Sequence, residues 1–183
     1  MASSIHSTIE QASRVEPGKT GRAKEVSVND KEIAAKVEML IRRPVAEVFE
    51  AFVDPQITSR FWFSRGSGRL EAGKSVRWDW EMYGFSMDAH VKAIEPNKRL
   101  LVEWSADGAP TDIEWVFTSR PDGTTFVSIT NSGFHGDARE RADSAIAATE
   151  GFAFVLAGAK ALLEHGIQLN LVPDRFPDGL PKT

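Results

Sequence analysis

One stretch of this 183-residue chain matches a catalytic motif letter for letter, the glycine-rich loop GRLEAGKS at residues 68–75. Its letters fit the expression of a loop that cradles nucleotide phosphates. That chemistry needs a helix directly after the loop, because backbone amides and the helix dipole together bind the phosphates. Here Ser75 instead opens an alternating, strand-like run that continues to Met82. We therefore predict a turn between two strands and no nucleotide site.

Residues for acid–base, nucleophilic or metal chemistry are few and widely spaced. There is no cysteine, so thiolate ligands, a cysteine nucleophile and disulfides are excluded. The histidines show no metal-ligand spacing, and no serine lies in a nucleophile elbow. They are His6, His90, His135 and His165. Asp79 and Glu81 share one face of a predicted strand, opposite its tryptophans, where carboxylates simply face solvent. We predict no catalytic residue, no metal and no cofactor, and the sequence favours a protein that is not an enzyme.

Aromatic side chains are the most informative set. The chain has five tryptophans and eleven phenylalanines, and most fall on positions predicted to face inward. Such residues either fill a packed core or line an apolar cavity with few polar groups. Small residues in the C-terminal helix (Gly151, Ala157, Gly158 and Ala159) would either widen a gap beside the sheet or let helix and sheet approach closely.

We predict that a small apolar or aromatic molecule with one polar handle binds in such a cavity. The predicted ligand-binding residues are Trp78, Trp80, Tyr83, Met87, Trp104, Trp115, Asn131, Phe152, Leu156 and Ala159. Asn131 is the best polar candidate if Val127 and Ile129 face inward, because its amide would orient a carbonyl or hydroxyl group. Tyr83 lies at a turn near the predicted mouth. His135, at the junction between the last strand and the last helix, is more typical of a loop or capping histidine than of a base.

Composition bounds the function classes further. Hydrophobic residues make up 42% of the chain and charged residues 26%, as in ordinary globular domains. The formal net charge of −4 gives no basic footprint for nucleic acid. The first fifteen residues lack the apolar run of a signal peptide, and no run of about 18 consecutive apolar residues predicts a membrane span. We expect a cytoplasmic protein that binds no nucleic acid, spans no membrane and forms a homodimer or a monomer.

The elements that must position these residues follow from periodicity. Alternation over 33–41 predicts a first strand, and helical spacing over 45–53 and 57–62 predicts two short helices. About six further runs separated by turn residues predict an antiparallel meander, the last of them (124–132) with an ambiguous facing. A charged, then alanine-rich stretch from Asp137 to His165 predicts one long helix that ends at Gly166. Since each strand has one apolar face, this helix must cover the sheet.

The order of several short stretches resembles the START-like (SRPBCC) superfamily, and more narrowly the activator of heat-shock protein 90 ATPase homologues (AHSA type). The stretches are RPVAEVF (43–49), DP (54–55) with FWF (61–63), AIEP (93–96) with LLVEW (100–104), GTT (123–125) with NSGF (131–134), and LLEHG (162–166). The resemblance implies an α+β helix-grip (START-like, Bet v-like) fold. In this fold, a curved antiparallel sheet of six to seven strands wraps a long C-terminal helix. It also implies a ligand cavity between sheet and helix, without fixing the ligand.

This reading divides the chain into a flexible leader (1–30), one helix-grip domain (31–167) and an extended, proline-rich tail (168–183). Two other functions remain open beside ligand binding. One is a cyclase- or hydrolase-type enzyme, which requires His135, Tyr83 or Asn131 to act inside the cavity. The other is a co-chaperone-like interaction domain.

Overall fold

A computed structural model describes residues 33–105 and 109–180 of the chain. The strands are β1 (Ala35–Ile41), β2 (Arg65–Gly66), β3 (Ser75–Trp80), β4 (Phe85–Glu95), β5 (Arg99–Trp104), β6 (Thr111–Ser119) and β7 (Thr125–Ser132). The helices are α1 (Val45–Val53), α2 (Pro55–Thr58), α3 (Ala138–His165) and α4 (Leu171–Asp174). A 3₁₀ turn, Glu81–Tyr83, joins β3 to β4. The predicted leader, residues 1–30, lies outside the described residues.

All seven strands form one antiparallel sheet in the order β1-β7-β6-β5-β4-β3-β2. Strands β2 to β7 form a meander. The first strand of the chain, β1, pairs with the last, β7, and Val37 lies opposite Ile129. On β7 the residues Thr125, Val127, Ile129 and Asn131 are buried and alternate with half-buried ones. The predicted curved-sheet, helix-grip architecture is confirmed, and the facing of the last strand is resolved.

The phosphate-loop letters at 68–75 form a turn, as predicted. Gly73 has a φ of +78° and its amide donates to the carbonyl of Val91 at 2.8 Å. Lys74 pairs with Glu71 at 2.6 Å, and the chain enters β3 at Ser75. The amide of Leu70 donates to the carbonyl of Val53 in α1, and that of Lys74 donates to Glu71 within the loop. With no helix after the loop, these amides do not converge on a phosphate.

Helix α3 is one continuous helix of 28 residues. Asp137 and Glu140 form a capping box at its start, and Gly166 ends it in the left-handed conformation with a φ of +69°. Its last turn is fixed to β1: Glu164 accepts from the amide of Arg42 at 2.7 Å, and Lys160 donates to the carbonyl of Leu40 at 2.7 Å.

Among the described residues, α3 is also the one helix that is long and apolar enough to cross a membrane by length and composition. The sequence reading did not identify this stretch as a span. Five of its seven buried residues belong to the core shared with the sheet: Phe152, Val155, Leu156, Ala159 and Leu162. That packing is typical of the core helix of a soluble domain, as expected for this fold.

The sheet has two covers, whereas the sequence predicted that α3 alone would cover it. Phe49 and Phe52 of α1 pack edge-on or tilted against Phe117 of β6, with ring centroids 5.2 and 5.8 Å apart. Helix α1 covers β6, and α3 packs against β1 and β7. The N-terminal half of α3 lies opposite the tryptophans of β3 and β5.

Trp62 fills the middle of the space between sheet and helix. It lies in the connection between α2 and β2, and only 7% of it is exposed. Its ring centroid is 5.0 to 6.3 Å from those of six aromatic residues: Phe63, Trp78, Trp80, Trp104, Trp115 and Phe152. Aromatic pairs at these separations and tilts stabilise a core beyond their buried area. The indole therefore occupies the volume in which the sequence predicted a cavity.

Candidate functional site

What remains open is an apolar cavity of about 280 Å³ between β3–β5 and the N-terminal half of α3. We call it the apolar cavity. It is lined by Trp62, Trp80, Tyr83, Phe85, Met87, Trp104, Ala147, Ala148, Gly151, Phe152, Phe154, Val155, Val172, Arg175, Phe176 and Leu180. Among the described residues that line it, the polar side-chain groups are the indole N–H groups, the hydroxyl of Tyr83 and the guanidinium of Arg175.

The walls arise from the alternation of the strands and from one missing side chain. Trp80 of β3 and Phe85 of β4 are direct cross-strand partners, with ring centroids 5.7 Å apart. On the opposite wall Gly151 of α3 presents no side chain, and a Cβ added there would meet only Arg175, at 3.8 Å. A larger side chain at 151 would therefore extend into the cavity.

The C-terminal tail closes one side of the apolar cavity. The sequence predicted an extended tail, but residues 171–174 form α4 and the tail folds back onto the domain. Tyr83 donates its hydroxyl hydrogen to the carbonyl of Val172, and its ring meets Phe176 edge-on at 5.9 Å. Arg175 pairs with Glu150 of α3 and lies 4.7 Å from the ring centroid of Phe176. Burial raises the pKa of Tyr83, so the phenol stays protonated as this donor.

The ten residues predicted to bind ligand separate into three groups. Trp80, Tyr83, Met87, Trp104 and Phe152 line the apolar cavity. Trp78, Trp115, Leu156 and Ala159 do not line it; each is at most 2% exposed within the packed core. The sequence pattern could not separate these two groups, because Trp62, which comes from a loop, lies between the second group and the apolar cavity.

Asn131 lies at a second, more polar cavity of about 440 Å³, which we call the polar cavity. It is lined by Trp104, Ala109, Thr111, Asn131, Phe134, His135, Gly136, Glu140, Ser144 and Ala148. Asn131 is 1% exposed, and its amide nitrogen donates to Thr111 Oγ1 at 3.0 Å and to the carbonyl of Asp112 at 2.9 Å. The indole nitrogen of Trp104 donates to the same Thr111 oxygen at 2.8 Å.

His135 is exposed at the rim of the polar cavity, where its Nε2 lies 3.1 Å from the carbonyl of Pro110. A carbonyl only accepts, so Nε2 carries the hydrogen and Nδ1 of the neutral ring is an acceptor. Its position agrees with the loop role predicted for it. His90 lies on the outer face of the sheet beside Ser75, and His165 lies at the end of α3. No group of three metal-binding side chains occurs among the described residues.

Asp79 is not the solvated carboxylate that the sequence predicted. It is 8% exposed and accepts from Ser86 at 2.7 Å, from Arg65 at 3.0 Å and from Arg77 at 3.1 Å. Hydrogen bonds from Ser86 and Arg65 hold the pKa of Asp79 below its usual value. Glu81 has left the strand for the 3₁₀ turn, so the two carboxylates do not act as a pair.

Comparison with known proteins shows one family and one fold. The model of the family described as "Activator of Hsp90 ATPase homolog 1-like protein" matches residues 42–164. A solved structure from Staphylococcus saprophyticus is 29% identical, with a TM-score of 0.63, over 74% of this chain and 95% of that chain. No curated protein matches the chain.

Two further solved structures share the fold. The Aha1 dimer from Colwellia psychrerythraea is 20% identical, with a TM-score of 0.64, over 73% of this chain and 98% of that chain. DynU16, a protein of the dynemicin biosynthetic locus, is 24% identical with a TM-score of 0.63. The match spans 75% of this chain but only 49% of DynU16.

Proposed function

The chain belongs to the activator of Hsp90 ATPase homolog 1-like family, and from that premise we propose that it binds a small apolar or aromatic molecule in the apolar cavity. The helix-grip fold is one in which ligands bind between sheet and helix. The observation that carries the proposal is a space of about 280 Å³ walled almost entirely by aromatic and aliphatic side chains. Ligand pockets have this character: mostly apolar walls with a few polar groups that fix orientation.

The volume limits the size of the ligand. An apolar protein cavity of roughly 150 Å³ holds one benzene molecule. A cavity of about 280 Å³ therefore suits a molecule of about two rings. Binding would come mainly from burial of apolar surface, at roughly 25 cal/mol per Å².

Arg175 is the protein group that would bind the polar handle of the ligand. Tyr83 already donates to the tail, but Nε of Arg175 is buried and has no hydrogen-bond partner among the described residues. A buried donor without a partner costs free energy that a ligand acceptor would recover. We therefore propose a ligand whose apolar body carries an acceptor at the tail side of the cavity.

Biphenyl is a suitable first probe because it has two rings and no polar group. Titration of the full chain, followed by tryptophan fluorescence and by amide chemical shifts, should show saturable binding with shifts at residues 80–87 and 147–155. Gly151→Leu should abolish binding, since its side chain projects into the cavity. Ala153→Leu, at an exposed position of the same helix, is the matched control and should bind normally. Unchanged binding by Gly151→Leu, or no binding by the wild type, contradicts the proposal.

A co-chaperone-like role is the second candidate, and the family description is the observation that favours it. In this role the chain would stimulate the ATPase of an Hsp90-type chaperone. Mixing the full chain with such a chaperone and measuring ATP turnover tests it, and an unchanged rate over an excess of the chain removes it.

We also propose that the protein is a cytoplasmic homodimer. The dimeric Aha1 structure from Colwellia supports the oligomeric state by analogy of fold alone. Light scattering of the full chain after size-exclusion chromatography measures the mass, and a monomer at high micromolar concentration contradicts the dimer.

A further inference from the structure

We propose that the apolar and polar cavities receive two parts of one ligand, an aromatic or polycyclic alcohol whose hydroxyl group donates a hydrogen bond to Asn131. This inference rests on the proposed function and adds the chemical class of the ligand. The apolar body would lie against α3, and the hydroxyl group would lie beyond Trp104.

The two cavities share walls. Trp104 and Ala148 line both of them, one from the sheet and one from α3. Trp104 is half-buried, and its indole nitrogen is bonded to Thr111 within the polar cavity. Asn131 is bonded to the same oxygen, so its amide is two hydrogen bonds away from the shared indole. Trp104 and Ala148 therefore form the boundary that a ligand occupying both cavities must cross.

The donors of Asn131 are already used. The carbonyl of Asp112 only accepts, so the nitrogen of the side-chain amide must face it, which fixes the orientation of the amide. The second amide hydrogen goes to Thr111. Only the oxygen of this buried amide is left for a ligand, and it accepts. This corrects the prediction from sequence, in which the amide could orient a carbonyl or a hydroxyl: a ligand carbonyl has nothing to receive from it.

Two neighbouring side chains, His135 and Glu140, also present acceptors. Nδ1 of neutral His135 is an acceptor, because Nε2 donates to Pro110. Glu140 contributes a carboxylate, one oxygen of which accepts from the amide of Asp137. Thr111 accepts two hydrogen bonds and retains one hydroxyl hydrogen. Ser144 also lines the cavity, and its hydroxyl can donate or accept. The oxygen of Asn131, Nδ1 of His135 and the carboxylate of Glu140 only accept, so the polar cavity favours a ligand that donates.

Three probes of one shape test the polarity: 4-hydroxybiphenyl, 4-methoxybiphenyl and biphenyl. The hydroxyl compound can donate, whereas the methoxy compound only accepts. With the full wild-type chain, we expect 4-hydroxybiphenyl to bind about tenfold more tightly than 4-methoxybiphenyl, the worth of one buried hydrogen bond.

Thr111→Val tests whether the donors that Thr111 occupies explain the poor binding of an acceptor ligand. It removes the shared oxygen and frees a donor on Asn131 and the indole donor of Trp104, both of which suit an acceptor ligand. The ratio of the two affinities should fall below about threefold. Thr111→Ser, which restores the hydroxyl, should return the wild-type ratio. Thr130→Val, on an outward-facing position of β7, is the matched control and should leave the ratio unchanged.

The outcomes separate the two proposals. If none of the three probes binds the wild type, the proposed function fails and this inference fails with it. If all three bind with equal affinity, the apolar cavity binds ligands but the assignment of Asn131 is wrong. A wild-type preference for the hydroxyl compound that Thr111→Val leaves intact also overturns the assignment.

Discussion

Two glycines of α3, Gly151 and Gly158, lie two helical turns apart. We predict that replacement by alanine has opposite effects on stability at the two positions. A Cβ added at 151 would meet only Arg175, at 3.8 Å, an ordinary van der Waals contact. A Cβ added at 158 would lie 3.1 Å from Cβ and 3.3 Å from the backbone oxygen of Phe61. Because one of these contacts is with backbone, rotation of a side chain cannot relieve it.

The magnitudes follow from helix propensity and overpacking. Replacing glycine by alanine inside a helix gains about 0.8–1.0 kcal/mol, partly through the unfolded chain, and this gain is equal at both sites. Gly151→Ala should therefore raise the free energy of unfolding by about 1 kcal/mol. At Gly158 the forced separation of helix and loop costs about 1–3 kcal/mol. Its net effect should be a loss of roughly 0–2 kcal/mol after the propensity gain.

Urea unfolding of the full chain, followed by tryptophan fluorescence and circular dichroism, measures both variants under one condition. We expect Gly151→Ala to be about 1–3 kcal/mol more stable than Gly158→Ala with similar m-values. The propensity term cancels in this difference, so it isolates the contact with Phe61. Equal stabilisation by both substitutions would refute the close approach of α3 to the loop after α2.

Three further predictions concern the core, the tail and pH. Trp62→Ala should lower the free energy of unfolding by about 3–5 kcal/mol and admit probes larger than biphenyl, as measured by urea unfolding and fluorescence titration. Tyr83→Phe removes the donor to Val172 and should cost about 1 kcal/mol, seen as faster amide exchange at residues 171–176 with unchanged exchange in β6 and β7. Burial alone would raise the pKa of Glu164, but hydrogen bonds from Lys160 and a backbone amide lower it below the usual 4.5. Its stabilisation is then present above that value and is lost as the pH falls, so Glu164→Gln should weaken the acid dependence of unfolding below about pH 5. Identical acid dependence in this variant and the wild type would contradict that assignment.

The order of the strands and the pairing of consecutive strands in the meander could be predicted from the sequence because alternation and turn residues are local signals. Gly123 and Gly166, for example, adopt the positive φ values that their positions indicate. The pairing of β1 with β7 joins distant parts of the chain and was not predicted. The prediction that α3 alone covers the sheet was wrong, because it treated α1 as a connecting segment that does not pack on the sheet. Its phenylalanines, Phe49 and Phe52, are as deeply buried as the residues of α3.

Five of the sixteen residues that line the apolar cavity could be predicted from the sequence, and three of them, Trp80, Met87 and Trp104, follow from the strand periodicity. Residues from outside the sheet and α3 could not, since Trp62, Arg175 and Phe176 are placed by long-range packing that leaves no local pattern. The prolines of the tail predicted an extended chain. The hydrogen bond from the hydroxyl of Tyr83 and the contact between its ring and Phe176 instead hold the tail against the domain.

The position of Trp62 in a connecting segment has a consequence for how this fold diversifies. A residue on a strand or on α3 is constrained by register and by neighbours on both sides, whereas a loop residue is free of ladder hydrogen bonds. Exchange of this one indole for a smaller side chain would enlarge the interior space of the domain without altering strand pairing. A single substitution at residue 62 would thus adapt the domain to a larger ligand.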